Sequence, residues 1–192
     1  MYDTWIPEDI ERAVNTIKSG SLVLYPTDTI WGIGCNATNP EAILRVNQLK
    51  NRPPGKPLVA LVSSIAMLKM FARNVHPRVE TLLEFHDKPL TIIYPVTVGL
   101  PEALKAQDGS IAIRITHDPF CRKLIELSGF PLVSTSANQA DQPYPNTFGE
   151  ISSNIIKGVE YVCKYRQGSR VFQPPSVIAK YNRSGALDFL RE

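Results

Sequence analysis

Lys50 and Arg52 form a pair of cations, one residue apart, at the end of a predicted helix. Lysine supplies a point charge and arginine a planar fork of donors, so this spacing suits the binding of a phosphate or a carboxylate. Two cations at a helix C-terminus also interact favourably with the helix dipole. The spacing alone does not distinguish an anion site from a stabilised helix end.

Three hydroxyl side chains and one amide lie within five residues in the run Ser134–Asn138, directly after a predicted strand. Small donors and exposed backbone N–H groups can cradle an anion, and α/β proteins often bind ligands at strand ends. A plain turn explains the same residues equally well. This run is therefore a second candidate for an anion site.

Other polar residues stand at strand ends or inside strands. The Thr-Asp-Thr segment at 27–29 follows the first predicted strand, and Ser176 opens a late strand after two prolines. Arg114 interrupts the apolar run 111–115, where strand alternation places it on the face opposite the isoleucines. Taken singly, turns and a surface charge are the simpler explanation, and ligand contacts are the alternative.

Several familiar catalytic patterns are absent from the sequence. It contains no GxGxxG, GxxxxGK[ST], GxSxG or HExxH, which argues against the usual nucleotide loops, the α/β-hydrolases and the zinc peptidases. The three histidines and three cysteines have no metal-ligand spacing, so we predict no metal site. We expect Cys35, Cys121 and Cys163 to be small buried residues in a reducing compartment.

Length and composition are those of one globular domain. The chain has 192 residues, of which 43% are hydrophobic and 20% charged, enough to bury a core. No apolar stretch approaches the roughly 20 residues that span a bilayer, and the first five residues lack the features of a signal peptide. We therefore expect a cytoplasmic protein. The net charge of +3 favours anionic ligands without separating nucleotides from RNA.

The apolar periodicity predicts the elements that must position these segments. Helices are predicted over 7–18, 40–49, 64–71, 77–85 and 118–128, with a weak one after 150. Strands are predicted over 21–25, 58–62, 90–98, 110–115, 132–134, 161–164 and 176–181, with loops over 50–57 and 139–150. Because the two types do not strictly alternate, we predict a mixed twisted sheet with helices packed on it rather than a doubly wound parallel sheet.

Four segments, in this order, resemble the YrdC/Sua5 family of threonylcarbamoyl-AMP synthases. They are PTDTIWGIG at 26–34, LKNRP at 49–53 with KPL at 56–58, STSAN at 134–138 and PSVI at 175–178. The resemblance implies an α/β, α+β-like fold: a YrdC-type mixed twisted sheet with flanking helices around a large cationic cavity. It also implies a single YrdC-like domain over 1–192, without the C-terminal domain of the longer Sua5 branch.

The reaction that this resemblance implies joins L-threonine, bicarbonate and ATP to give threonylcarbamoyl-AMP and pyrophosphate. ATP is then a substrate that brings Mg²⁺ with it. Downstream threonylcarbamoyl-transferase proteins would pass the group to N6 of adenosine 37 in tRNA, giving the t6A modification, and no membrane partner is implied. Such chemistry needs no protein nucleophile, because the work is positioning two anions and stabilising charge on phosphoryl oxygens.

Roles for individual residues also follow from the matched motifs. The expected catalytic residues are Lys50, Arg52, Ser136 and Asn138. The expected threonine contacts are Thr27, Arg114 and Ser176. The expected nucleotide contacts are Lys50, Arg52, Ser110, Ser134 and Ser136.

The chain departs from the family pattern in two places. After the central strand it reads Arg-Ile-Thr-His-Asp at 114–118, where many relatives have Arg-Val-Pro-(Asp/Asn)-His, so no role is assigned to His117 or Asp118. Trp31 replaces the more common tyrosine, which would change the shape of the pocket.

Besides a paralogue of the synthase with a different amine substrate, two other functions remain open at this point. One is a module that binds double-stranded RNA or tRNA, or assists ribosome maturation, without synthase activity; the scattered basic residues and the lack of an RNP-like aromatic pair argue against it. The other is a carbamoyl-adenylate-forming enzyme like the YrdC-like part of hydrogenase maturation proteins, which are much longer chains.

Overall fold

A single mixed sheet runs through the molecule and carries helices on both faces. The structure is a computed structural model and describes residues 5–53, 56, 58–86, 88–169, 174–182 and 186–191. Positions 54, 55 and 57 of the predicted 50–57 loop, and residues 1–4 of the segment inspected for a signal peptide, lie outside this range.

Fifteen helices and strands are present in the described residues. The helices are α1 (Pro7–Lys18), α2 (Pro40–Leu49), α3 (Ile65–Phe71), α4 (Pro77–Phe85), α5 (Pro119–Ser128) and α6 (Ser153–Lys157), with 3₁₀ turns at Glu102–Leu104 and Phe148–Glu150. The strands are β1 (Val23–Tyr25), β2 (Gly32–Gly34), β3 (Val59–Val62), β4 (Leu90–Tyr94), β5 (Ile111–Ile115), β6 (Leu132–Ser136), β7 (Tyr161–Val162), β8 (Val177–Tyr181) and β9 (Leu187–Arg191). No helix in the described ranges is long and apolar enough to cross a membrane.

Local sequence explains where the helices begin. The side chain of Asn39 accepts hydrogen bonds from two backbone N–H groups of α2, and Ser64 and Asp118 cap α3 and α5 in the same way. Proline occupies the start of four helices, α1, α2, α4 and α5, where its missing N–H costs nothing. Gly129 ends α5 in the left-handed conformation with φ +80°.

The sheet order is β7-β1-β2-β6-β3-β5-β4-β8-β9, with parallel and antiparallel neighbours. This confirms the predicted mixed sheet. Two strands were not predicted, because β2 contains two glycines in three residues and β9 is mostly exposed at the sheet edge. The prediction over 90–98 was too long, since β4 ends before Pro95, and the prediction over 132–134 was too short, since Ser136 pairs with Gly32.

Two apolar clusters fill the space between the sheet and the helices. The larger cluster packs α2, α3 and α4 against one face. The smaller packs α1 and α5 against the other face, where it includes residues of β1, β3, β6 and β7 but none of β4, β5 or β8. The second face therefore has one half covered by helices and one half that the α1–α5 pair leaves uncovered.

Gly34 permits the close packing of Tyr25 at the covered end of that face. The Tyr25 hydroxyl donates to the carbonyl oxygen of Val133 at 3.1 Å, which draws the ring across β2. A Cβ at position 34 would lie 2.5 Å from Cε1 of Tyr25 and 2.7 Å from that carbonyl oxygen. Only glycine therefore fits without displacing a fully buried ring.

We predict that Gly34→Ala lowers the free energy of unfolding by about 2–4 kcal/mol, because the added methyl overlaps a buried ring and a backbone carbonyl. Urea denaturation measures the change. The control is Gly149→Ala, where a Cβ meets no atom within 4 Å and a change of at most ~0.5 kcal/mol is expected. Equal effects of the two substitutions would contradict the packing argument.

Candidate active site

A cavity of about 320 Å³ opens on the part of the sheet that α1 and α5 leave uncovered. Strand register assembles it: Thr91 of β4 lies opposite Arg114 of β5, and Ser136 of β6 lies opposite Gly32 of β2. Its hydroxyl and cationic lining residues are Thr29, Arg52, Thr91, Arg114, Ser134, Thr135, Ser136, Tyr144, Ser176 and Arg191. Small side chains and glycine on this face leave the volume that a ligand needs.

Arg114 is buried in the wall of this cavity. Only 4% of its surface is exposed, so it is not a surface charge. Its Nη2 lies 3.2 Å from Oδ1 of Asp28, and its Nη1 donates to Oγ1 of Thr29 at 3.3 Å. Its Nε has no hydrogen-bond partner within the described ranges. A guanidinium carries five N–H donors, so one that lines a cavity is suited to binding an anionic group.

Thr27 stabilises the turn at residues 27–29, which contains Asp28 and Thr29, the two partners of Arg114. It is not among the residues that line the cavity. Its hydroxyl donates to the carbonyl oxygen of Ile30 at 2.8 Å and accepts from the N–H of Thr29 at 3.0 Å. Its methyl would lie 3.5 Å from a Cβ at Gly32, a residue of the cavity lining. Hydrogen bonds of Thr27 thus fix the conformation of the 27–29 segment, and Asp28 and Thr29 contact Arg114.

Lys50 is placed beneath the cavity, with 1% of its surface exposed. Its Nζ donates to the carbonyl oxygen of Ser136 and, at 2.5 Å, to that of Asn138. The ammonium therefore joins the predicted Lys-x-Arg and Ser-x-Asn elements to each other. Burial, with a smaller contribution from the charge of Arg52, lowers the pKa of Lys50 from its usual 10.5 to about 7.

Arg52, in contrast, lines the cavity. Its Nε donates to the carbonyl oxygen of Lys56 at 3.4 Å, and partial burial lowers the pKa of its guanidinium. Ser134 and Ser136 line the cavity beside it, whereas Asn138 does not. The amide of Asn138 donates to the carbonyl oxygens of Gln139 and Gln142, so it shapes the loop after β6.

Ser110 lies in a second cavity, of about 410 Å³, with Asp108 and Lys180. Its backbone N–H and its hydroxyl both donate to Oδ1 of Asp108. Ser110 immediately precedes β5. By strand alternation its side chain lies on the same face as that of Arg114, about 13 Å away along the strand. The structure therefore places five of the nine predicted residues in the lining of one cavity: Arg52, Arg114, Ser134, Ser136 and Ser176. Thr27, Lys50 and Asn138 are not among its lining residues, and Ser110 lies apart in the second cavity.

Ser176 is fixed from two sides. Its hydroxyl lies 2.8 Å from that of Thr91, and Arg191 donates to its carbonyl oxygen through Nη2 and Nε at 2.6 and 3.1 Å. The cavity is also lined by Thr91, Arg191 and Tyr144, which were not predicted as site residues. A threonine among apolar residues in a buried strand was the available signal for Thr91.

Asp118 contributes to structure rather than to the lining. It caps α5 and forms an ion pair with Arg166, whose Nη1 donates to the carbonyl oxygen of Thr27 at 3.5 Å. The three cysteines are free and buried, as expected. The described residues contain no group of three or more His, Cys, Asp or Glu side chains arranged to hold a metal ion.

Sequence comparison identifies relatives over nearly the whole chain. The Sua5/YciO/YrdC family model, described as "Telomere recombination", matches residues 15–192. A threonylcarbamoyl-AMP synthase of Xanthomonas euvesicatoria pv. vesicatoria is 31% identical over 182 residues, which cover 93% of this chain and 96% of that protein. One from Klebsiella pneumoniae is 33% identical over 151 residues, covering 77% of this chain and 80% of that protein.

Comparison with solved structures also identifies relatives over most of the chain. P. abyssi Sua5 complexed with L-threonine matches with a TM-score of 0.80 and 28% identity, over 89% of this chain and 50% of that one. This chain therefore spans half the length of that protein. E. coli YciO matches over 99% of this chain and 91% of its own, with a TM-score of 0.83; at 23% identity it supports the fold alone.

We predict that Lys50→Met removes a pH-dependent part of the stability. With the pKa lowered to about 7 in the folded state, the unfolded state binds more protons at this group between pH 7 and 10. The free energy of unfolding of the wild type should therefore rise with pH relative to the variant, by about 1 kcal/mol per unit between pH 7 and 9. Urea denaturation at pH 7, 8 and 9 measures it.

The control for this comparison is Lys69→Met on the exposed side of α3. It should follow the wild-type pH dependence. Parallel curves for Lys50→Met and the wild type would contradict the assignment of a strongly lowered pKa.

Proposed function

This chain belongs to the Sua5/YciO/YrdC family, and we propose that it is an L-threonylcarbamoyladenylate synthase. It joins L-threonine, bicarbonate and ATP to form threonylcarbamoyl-AMP and pyrophosphate. The observation that carries the proposal is that two arginines, Arg52 and Arg114, line one cavity together with Ser134, Ser136 and Ser176. A reaction between an amino acid and a nucleotide needs such a site, because it must hold two anionic substrates side by side.

L-Threonine occupies the Arg114 end of the cavity in this proposal. Arg114, Ser134 and Ser176 line the same space, and their side chains supply hydrogen-bond donors. Thr27 acts here through the turn that presents Asp28 and Thr29 to Arg114. The solved complex of the P. abyssi relative with L-threonine supports L-threonine as the substrate.

ATP binds along the same sheet face. Its phosphates lie near Arg52 and Ser136, and its nucleoside extends toward Ser110 in the second cavity. The separation of about 13 Å between Ser110 and Arg114 leaves room for the amino acid and the nucleoside at different points of this face. Lys50 and Asn138 keep the loop after β6 in place below the phosphates.

The chemistry then needs no protein nucleophile. The amine of threonine attacks the carbon of bicarbonate and water leaves, which gives an N-carboxylate. One oxygen of that N-carboxylate attacks the α-phosphorus of ATP, the bond to the bridging oxygen breaks, and pyrophosphate leaves. Arg114 orients the amino acid, and Arg52 stabilises negative charge on the phosphoryl oxygens.

Mg²⁺ arrives with ATP in this proposal. The described residues offer no cluster of acidic or histidine ligands, whereas the polyphosphate supplies the oxygen atoms that Mg²⁺ prefers. Bound there, the ion neutralises charge on the leaving pyrophosphate.

The product passes to downstream transferase proteins that modify adenosine 37 of tRNA. We propose a cytoplasmic location and one YrdC-like domain for residues 1–192. Three free buried cysteines and the inclusion of all described strands in one sheet support these two proposals.

Pyrophosphate release tests the function directly. With ATP, Mg²⁺ and bicarbonate, release should depend on L-threonine and be far weaker with L-serine. Release with another amine alone would keep the adenylate chemistry and change the substrate. A folded protein that releases no pyrophosphate and binds RNA in a steeply salt-dependent manner would establish the RNA-binding alternative.

We predict that Arg52→Ala lowers kcat/KM for ATP by about 100-fold or more, because it removes a cation from the phosphoryl site.

Arg114→Lys should instead raise KM for L-threonine, since an ammonium cannot reproduce the fork of a guanidinium. Steady-state pyrophosphate release measures both. Arg78→Ala, an exposed arginine of α4, is the control and should retain full activity. Unchanged kinetics in either site variant would contradict its assigned role.

A further inference from the structure

The hydroxyls of Thr91 and Ser176 form a pair beside the Arg114 guanidinium. Their oxygen atoms are 2.8 Å apart, and 1% of Thr91 and 9% of Ser176 are exposed. Both line the first cavity, and Thr91 lies directly opposite Arg114 in the antiparallel β4–β5 register. Each hydroxyl carries one proton, so the direction of the shared hydrogen bond decides which of the two hydroxyls can donate to a ligand.

The surroundings of Thr91 fix that direction. In the described part of the chain, Ser176 Oγ is the one hydrogen-bond partner of the Thr91 hydroxyl. The neighbouring Arg114 side chain is a donor only and cannot accept the Thr91 proton. If Ser176 donated to Thr91, the Thr91 proton would be buried without an acceptor, which is costly. Thr91 therefore donates to Ser176.

This direction leaves the Ser176 proton available to the cavity. Arg191 already occupies the carbonyl oxygen of Ser176, so the backbone of that residue is held in place. Arg114 lines the same cavity and carries five N–H donors, more than its contacts with Asp28 and Thr29 use. Two donors in one wall match the two oxygen atoms of a carboxylate.

We propose that Thr91 is a positioning residue that directs the Ser176 hydroxyl as a donor toward the carboxylate of the amino acid substrate. The inference rests on the proposed function and adds to it a residue that the sequence motifs did not contain.

Isothermal titration of L-threonine and of L-threoninamide tests the inference, because the amide replaces one acceptor oxygen of the carboxylate by a donor. Thr91→Val keeps the shape and removes the hydroxyl; it should weaken L-threonine binding at least tenfold and L-threoninamide binding less than threefold. Thr91→Ser restores the hydroxyl and should bind L-threonine within threefold of the wild type. Thermal unfolding verifies that each variant folds, and Thr91→Ala carries the same expectation if Thr91→Val does not fold.

A double-mutant cycle separates positioning from a general structural effect. In the Ser176→Ala background, Thr91→Val should cause no further loss of L-threonine affinity, since Thr91 acts through Ser176. In pyrophosphate release, Thr91→Val should raise KM for L-threonine and leave kcat largely unchanged.

Three results would overturn the inference. They are wild-type affinity for L-threonine in Thr91→Val, equal losses for L-threonine and its amide, and additive losses in the cycle. A wild-type protein that binds no L-threonine would refute the proposed function and this inference with it, whereas normal binding by both the wild type and Thr91→Val would refute the inference alone.

Discussion

The buried guanidinium of Arg114 is the group on which the site depends. A charge removed from water is tolerated only when partners compensate for lost hydration. Asp28 supplies the opposite charge and Thr29 a hydroxyl acceptor, both from one turn after β1. Thr27 fixes this turn, and the guanidinium lines the cavity. In the proposed function, the group that binds the amino acid is therefore also the group that holds the turn.

The uncovered half of the sheet explains why the first cavity lies where it does. α1 and α5 cover the apolar half of one face, where Tyr25 crosses Gly34. Beyond them the same face carries serine, threonine and arginine side chains. A sheet face with this polarity does not pack against a helix, and its hydroxyl and cationic groups remain available for substrates.

Much of the fold follows from local sequence, and less of the site does. Caps and helix-start prolines set the helices, which appear within a residue or two of the predicted bounds. The sequence motifs predicted Arg52, Arg114, Ser136 and Ser176 as site residues, and all four line the first cavity. The partners of these residues depend on strand register, which no local pattern shows, so Thr91 opposite Arg114 and Arg191 on Ser176 were not predicted. Likewise, Lys50 was expected among the phosphate contacts, and its burial beneath two carbonyls became visible only in three dimensions.

The Lys50 contact has a consequence for the order of folding. The Lys50 side chain contacts Ser136 and Asn138, which lie 86 and 88 positions later in the sequence. These contacts form only when β6 has entered the sheet between β2 and β3. Contacts of such high sequence separation form late, because the intervening chain must first be ordered. An intermediate that contains only the N-terminal helices and strands lacks Ser134 and Ser136 of the cavity lining. Nucleotide binding during refolding would thus report completion of the central sheet rather than collapse of the chain.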